Sequence, residues 1–147
     1  MTSPRTIAYC SLAILIALYV VGAVSITPGS LRHEVQTLPL WFPIVAGFQR
    51  KEIAKWAALP CMIFWLAIMV FIWLFLLGWA RIVSGRFSPI EIAMTIVIGV
   101  ATVVGMTACA RSRTSIRWSV AAITFLLFGA LQVLALRLSL FPYIAQR

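Results

Sequence analysis

Apolar residues along this chain neither alternate with polar ones nor recur only at every third or fourth place. They form four long, nearly unbroken runs. The first, Ile7 to Ile26, reads IAYCSLAILIALYVVGAVSI, and the second, Trp56 to Ala80, reads WAALPCMIFWLAIMVFIWLFLLGWA. The third extends from Pro89 to Ala110 and the fourth from Trp118 to Leu136. A bilayer's hydrocarbon core is about 30 Å thick and a helix rises about 1.5 Å per residue, so about 20 apolar residues cross it. Lipid supplies no partner for a backbone N–H or C=O, and a helix satisfies both internally. A membrane barrel needs at least about eight short alternating segments, which these runs do not supply. The pattern predicts an all-α integral membrane protein. Its four transmembrane helices, at 7–26, 56–80, 89–110 and 118–136, form a single membrane domain over 1–147.

The boundaries carry their own signals. Thr27-Pro28-Gly29 stops the first run, Lys55 and Arg81 bracket the second, and Arg117 and Arg137 bracket the fourth. Arg5 ahead of the first run, with Ala23-Val24-Ser25 near its end, has features of a secretory signal. The run is longer than the roughly 7–15 apolar residues such a signal uses, so a retained span is expected. Between the first two spans, Leu38 to Phe48 is apolar but too short to cross, and Pro39 and Pro43 interrupt it. With Trp41 and Phe42 inside, that stretch predicts a short interfacial or re-entrant segment at 38–48. Gln49 to Lys55 then predicts a short basic helix whose Arg50, Lys51 and Lys55 contact lipid headgroups.

Composition sharpens the class. Apolar residues make up 63% of the 147, and charged residues only 10%, against about 25% in a soluble domain. The formal charge is +9, but the cations are scattered at the ends of apolar runs rather than gathered on one face. That placement suits anionic headgroups and argues against nucleic acid as a partner. Arg32, Arg50, Lys51, Lys55, Arg111, Arg113 and Arg117 fall in the first and third loops, and Arg5, Arg81, Arg86, Arg137 and Arg147 fall elsewhere. By the positive-inside rule those two loops are expected in the cytoplasm, with both termini outside. The expected setting is the bilayer of a bacterial inner (cell) membrane.

Few side chains could carry chemistry. The chain has three acidic residues and one histidine. Ser88-Pro89-Ile90-Glu91 has the spacing of a capping box with proline at the first helical position, and Phe87 and Ile92 stand at the staple positions. Glu91 is expected to start the third span. As a proton or cation carboxylate it would lie unusually far from the midplane, where coupling sites gather. His33-Glu34 offers two neighbouring ligands where zinc takes three or four. Cys10, Cys61 and Cys109 lie inside apolar runs with no C-x-x-C pair, which suits buried apolar packing. Gln132, inside the fourth span, is expected to bond a neighbouring helix. Ala93, Val97, Ala101, Gly105 and Cys109 form a row at four-residue spacing, and Ala101-x-x-x-Gly105 is a small-residue pair suited to close helix packing, against other spans or a second copy.

These readings predict no enzyme and no cofactor. The expected function is that of a non-catalytic accessory or assembly component of a membrane complex, with a second copy or another membrane protein as partner. The alternative is a small oligomeric transporter or channel using Glu91 and Gln132.

Overall fold

A computed structural model describes residues 4–24, 30–80 and 87–141. The Thr27-Pro28-Gly29 stop, Arg81 and the tail beyond Phe141 lie outside the described residues. Five helices account for most of the rest: α1 (Pro4–Val24), α2 (Ser30–Phe48), α3 (Ile53–Leu76), α4 (Pro89–Arg111) and α5 (Trp118–Ser139). Four of them, α1, α3, α4 and α5, are long and apolar enough to cross a membrane. No strand occurs among the described residues.

α3 is the hub. It packs against all four other helices, while α1 pairs with α2 and α4, and α2 with α5. α4 and α5 flank α3 and do not pack on each other. The core comprises Ile7, Ile14 and Leu18 from α1, Leu40 and Ile44 from α2, Cys61, Met62 and Trp65 from α3, and Ile98, Cys109 and Phe128 from α4 and α5. Outward faces stay apolar too: Ile96, Val100 and Val103 on α4 and Ile123, Leu126 and Leu134 on α5 are exposed. Burial of apolar groups cannot by itself drive helices together in lipid, so this core is held by close packing and interhelical hydrogen bonds.

The short interfacial or re-entrant segment expected at residues 38–48 does not stand as a separate element: these residues are the second half of the continuous 19-residue helix α2. α2 runs antiparallel to α1 along its length. At one end Gly22 lies under the His33 ring; at the other, a Cβ on Gly47 would fall 2.8 Å from the Pro4 carbonyl oxygen and 2.9 Å from the Ala8 Cβ. Pro39 and Pro43 sit inside the helix one turn apart, and both are buried. Each removes one backbone bond, which neighbouring helices can compensate in a bundle. The expected basic helix at 49–55 is instead a tight turn, with α3 starting at Ile53. The second span ends earlier than expected, at Leu76.

This pairing changes the topology. Pro4, the α2–α3 turn and the α4–α5 loop gather at one end of the bundle. His33, Glu91 and Ser139 lie toward the other, so α1 starts and α5 finishes at opposite ends rather than the same one.

Candidate functional site

The start of α4 is held by three residues. Ser88 is extended, with φ −72° and ψ 158°, and its Oγ accepts from the Glu91 N–H at 3.2 Å. The Glu91 Oε2 accepts from the Ser88 N–H at 2.7 Å. Pro89 fills the first helical place, where its missing N–H is no loss. Glu91 thus lies at the helix N-terminus, where its charge also meets the positive end of the helix dipole.

Gln132 is fully buried in α5. Its Nε2 donates to the Gln36 carbonyl of α2 at 3.0 Å. Gln36 in turn donates through its own Nε2 to the Ser139 Oγ at 2.8 Å, and Ser139 donates to the Leu136 carbonyl at 2.7 Å. Two buried amides and one hydroxyl therefore stitch α2 to α5. Glu91 and Gln132 stand on helices that do not touch, so the bundle does not bring them into one crevice.

The small-residue row on α4 divides. Ala101, Gly105 and Cys109 are buried, whereas Ala93 and Val97 are exposed. At 3.6 residues per turn a four-residue step drifts about 40°, so five members sweep about 160° and cannot share one face. The buried end faces neighbours within the chain: a Cβ on Gly105 would fall 2.6 Å from the Met62 Sδ and 3.1 Å from the Cys10 Cβ.

The remaining polar chemistry collects at the end where α1 begins. Lys55 donates to the Ser112 carbonyl at 2.8 Å, closing the C-terminus of α4, and its ammonium lies 5.0 Å from the Trp56 ring centroid. Trp56 meets Trp118 edge-on at 6.0 Å. Such rings mark the headgroup level of a membrane helix. Glu52 reaches across to the α4–α5 loop, accepting from the Ser115 N–H at 2.7 Å, the Ser115 Oγ at 3.0 Å and the Thr114 Oγ1 at 3.2 Å. The Ser115 backbone bond, aided by the two hydroxyls, holds its carboxyl below the ordinary value.

Arg50 has an unusual backbone. The Arg50 N–H bonds the Gly47 carbonyl and the Lys51 N–H bonds the Ala46 carbonyl, the paired bonds of a Schellman helix end. That motif puts one residue in the left-handed region, normally glycine, and here it is Arg50 at φ 57°. α3 ends in the same motif with Gly78 at φ 75°. The two ends are alike in backbone and opposite in residue choice.

Around this end a cleft of about 510 Å³ opens between α1, the α2–α3 turn and the end of α4, lined by Pro4, Ile7, Arg50, Lys51, Glu52, Lys55, Arg111, Ser112 and Arg113. Arg50, Lys51 and Lys55, expected at headgroups from the sequence, thus line one cavity. Arg111 and Arg113 join them from across the bundle, and sequence reasoning used these two only to count loop charge. Gln36 and Glu52 were also missed. A buried-helix period through Gln36, Leu40 and Ile44 was the available signal for the first, and the second had none.

Among the described residues no three His, Cys, Asp or Glu side chains gather as metal ligands. Comparison with family models, curated proteins and solved structures yields no match to this chain, so the site is read from its geometry.

Proposed function

We propose that this chain is a non-catalytic integral membrane protein of the bacterial inner membrane, serving as an accessory or assembly component of a membrane complex. The observation that carries the reading is that the two candidate coupling residues, Glu91 and Gln132, each make fold-closing hydrogen bonds. Glu91 closes the cap of α4 with Ser88, and Gln132 ties α5 to α2. A coupled transporter gathers such groups near the midplane at one site, whereas here they sit on separated helices. The apolar outer faces of α4 and α5 leave ample surface for lipid or for a partner helix.

Because α2 pairs with α1 from end to end, a membrane crossed by α1 is crossed by α2 as well. At about 1.5 Å per residue its 19 residues reach about 28 Å, close to the hydrocarbon thickness. Arg32, His33 and Glu34 then stand in its first two turns, near one surface.

Purification from native membranes in a mild detergent tests the reading: a membrane partner at fixed stoichiometry is expected. Reconstituted alone, the chain is expected to carry no proton or ion flux. A flux abolished by Glu91→Gln overturns the proposal in favour of the small transporter or channel.

A further inference from the structure

We propose that the cleft between the start of α1, the α2–α3 turn and the end of α4 binds a phosphate group, with Arg50, Lys51, Arg111 and Arg113 facing it. The inference rests on the membrane reading for its favoured source, an anionic lipid headgroup, and adds a ligand class to it.

Charge is the first support. Five cations and one carboxylate line the cleft, a net of four positive charges. Glu52 is directed to Ser115 and Thr114 on the loop side, and its charge is already counted in that net. Lys55 is engaged by the Ser112 carbonyl. Arg50, Lys51, Arg111 and Arg113 are exposed, and make no side-chain hydrogen bond or ion pair among the described residues. Four like charges converging from two chain segments repel one another, and a phosphate relieves that repulsion while offering oxygens to guanidinium forks.

The second support is independent of charge. A left-handed backbone strains a non-glycine residue, and glycine removes that strain, as Gly78 does in the matching motif. Strained positions of this kind concentrate at functional sites. What Arg50 supplies in return is a guanidinium at the mouth of the cleft.

Shape and level favour a lipid source. Pro4 and Ile7 give the cleft an apolar wall beside its cations, and the Trp56–Trp118 pair marks the headgroup boundary at the same end. Basic pockets between membrane helices suit anionic headgroups.

The test uses the full chain in a neutral maltoside detergent, titrated with phosphatidylglycerol, phosphatidylcholine or inorganic phosphate and read by native mass spectrometry and thermal unfolding. Saturable binding of phosphatidylglycerol over phosphatidylcholine, weakened by salt, is expected. Saturable inorganic phosphate binding of equal strength supports the site with a free phosphate as its source. Arg113→Gln is expected to weaken binding about fivefold, the effect of one cation near an anionic surface. Arg50→Gly is expected to weaken it similarly while raising the unfolding temperature of the ligand-free protein, so lost binding is not lost folding. Arg117→Gln, at the same end but outside the cleft, is expected to leave binding unchanged. No saturable response to either phosphate source, or an equal loss in Arg117→Gln and Arg113→Gln, overturns the proposal. None of these outcomes depends on whether a protein partner is found.

Discussion

Arg50 and Gly78 occupy the same place in the same helix-ending motif, and that comparison makes backbone strain measurable one residue at a time. Gly78 has open space around its Cβ direction and φ 75°, so Gly78→Ala carries only the conformational cost, about 1 kcal/mol. Gly47 is the opposite case, pressed against the backbone of α1. Gly47→Ala forces α1 and α2 apart and is expected to cost about 1–3 kcal/mol by overpacking. Thermal or denaturant unfolding in detergent separates the two. At the cap of α4, Ser88→Ala is expected to cost about 0.5–2 kcal/mol, while Glu91→Gln keeps a side chain able to reach back and loses mainly the dipole interaction, about 0.3–1 kcal/mol. A larger loss in Glu91→Gln than in Ser88→Ala would show that the charge matters beyond the cap. This cap was legible in the sequence because all its partners lie within four residues. Arg50's left-handed turn was not, because the signal for such a turn is a glycine and none is there.

At the scale of the element, α2 is the helix that hydropathy conceals. Its first turns hold Arg32, His33 and Glu34, and Pro39 and Pro43 read locally as breaks, whereas the buried positions Gln36, Leu40 and Ile44 follow a helical period. The two prolines are tolerated because α2 is packed on three sides by α1, α3 and α5. Gln132→Leu removes the donor to the Gln36 carbonyl and is expected to cost about 0.6–2 kcal/mol, read by unfolding in detergent. Single cysteines at Glu34, Lys51 and Ser115, in a background lacking the native cysteines, test whether α2 crosses. Lys51 and Ser115 are expected to label from one side of intact membranes and Glu34 from the other. Labelling of Glu34 and Lys51 from the same side would return α2 to the interface.

For the whole molecule, the end-to-end course of α2 redistributes charge. Arg5, Arg50, Lys51, Lys55, Arg111, Arg113 and Arg117 gather at one end, against Arg32 and Arg137 at the other among the described residues. If α2 crosses as proposed, the positive-inside rule predicts that end in the cytoplasm together with the start of α1, in place of the expectation of both termini outside. The tie from Glu52 to Ser115 at this end should depend on pH. Its carboxyl is lowered from 4.5 when folded, so just below that value the unfolded chain binds a proton that the folded chain does not. Stability therefore rises with pH there, is fully present at neutral pH, and is lost as pH falls through the lowered value. Unfolding temperatures measured from pH 7 to pH 3 should fall more in the parent than in Glu52→Gln. The long apolar runs made four of the helices legible. The ties Gln36–Ser139 and Glu52–Ser115 were not, since each joins residues that only the finished bundle makes neighbours.

That last point bears on the order of synthesis. The Gln36–Ser139 bond spans 103 positions, and Gln132 reaches the Gln36 carbonyl across 96. While the chain is being made, α2 exists long before α5 does, with the Gln36 amide unmatched on the side α5 will cover. The seam between them is therefore the latch that closes last. A chain that stops before Trp118 therefore leaves the Gln36 amide unmatched, a chemical mark of unfinished assembly.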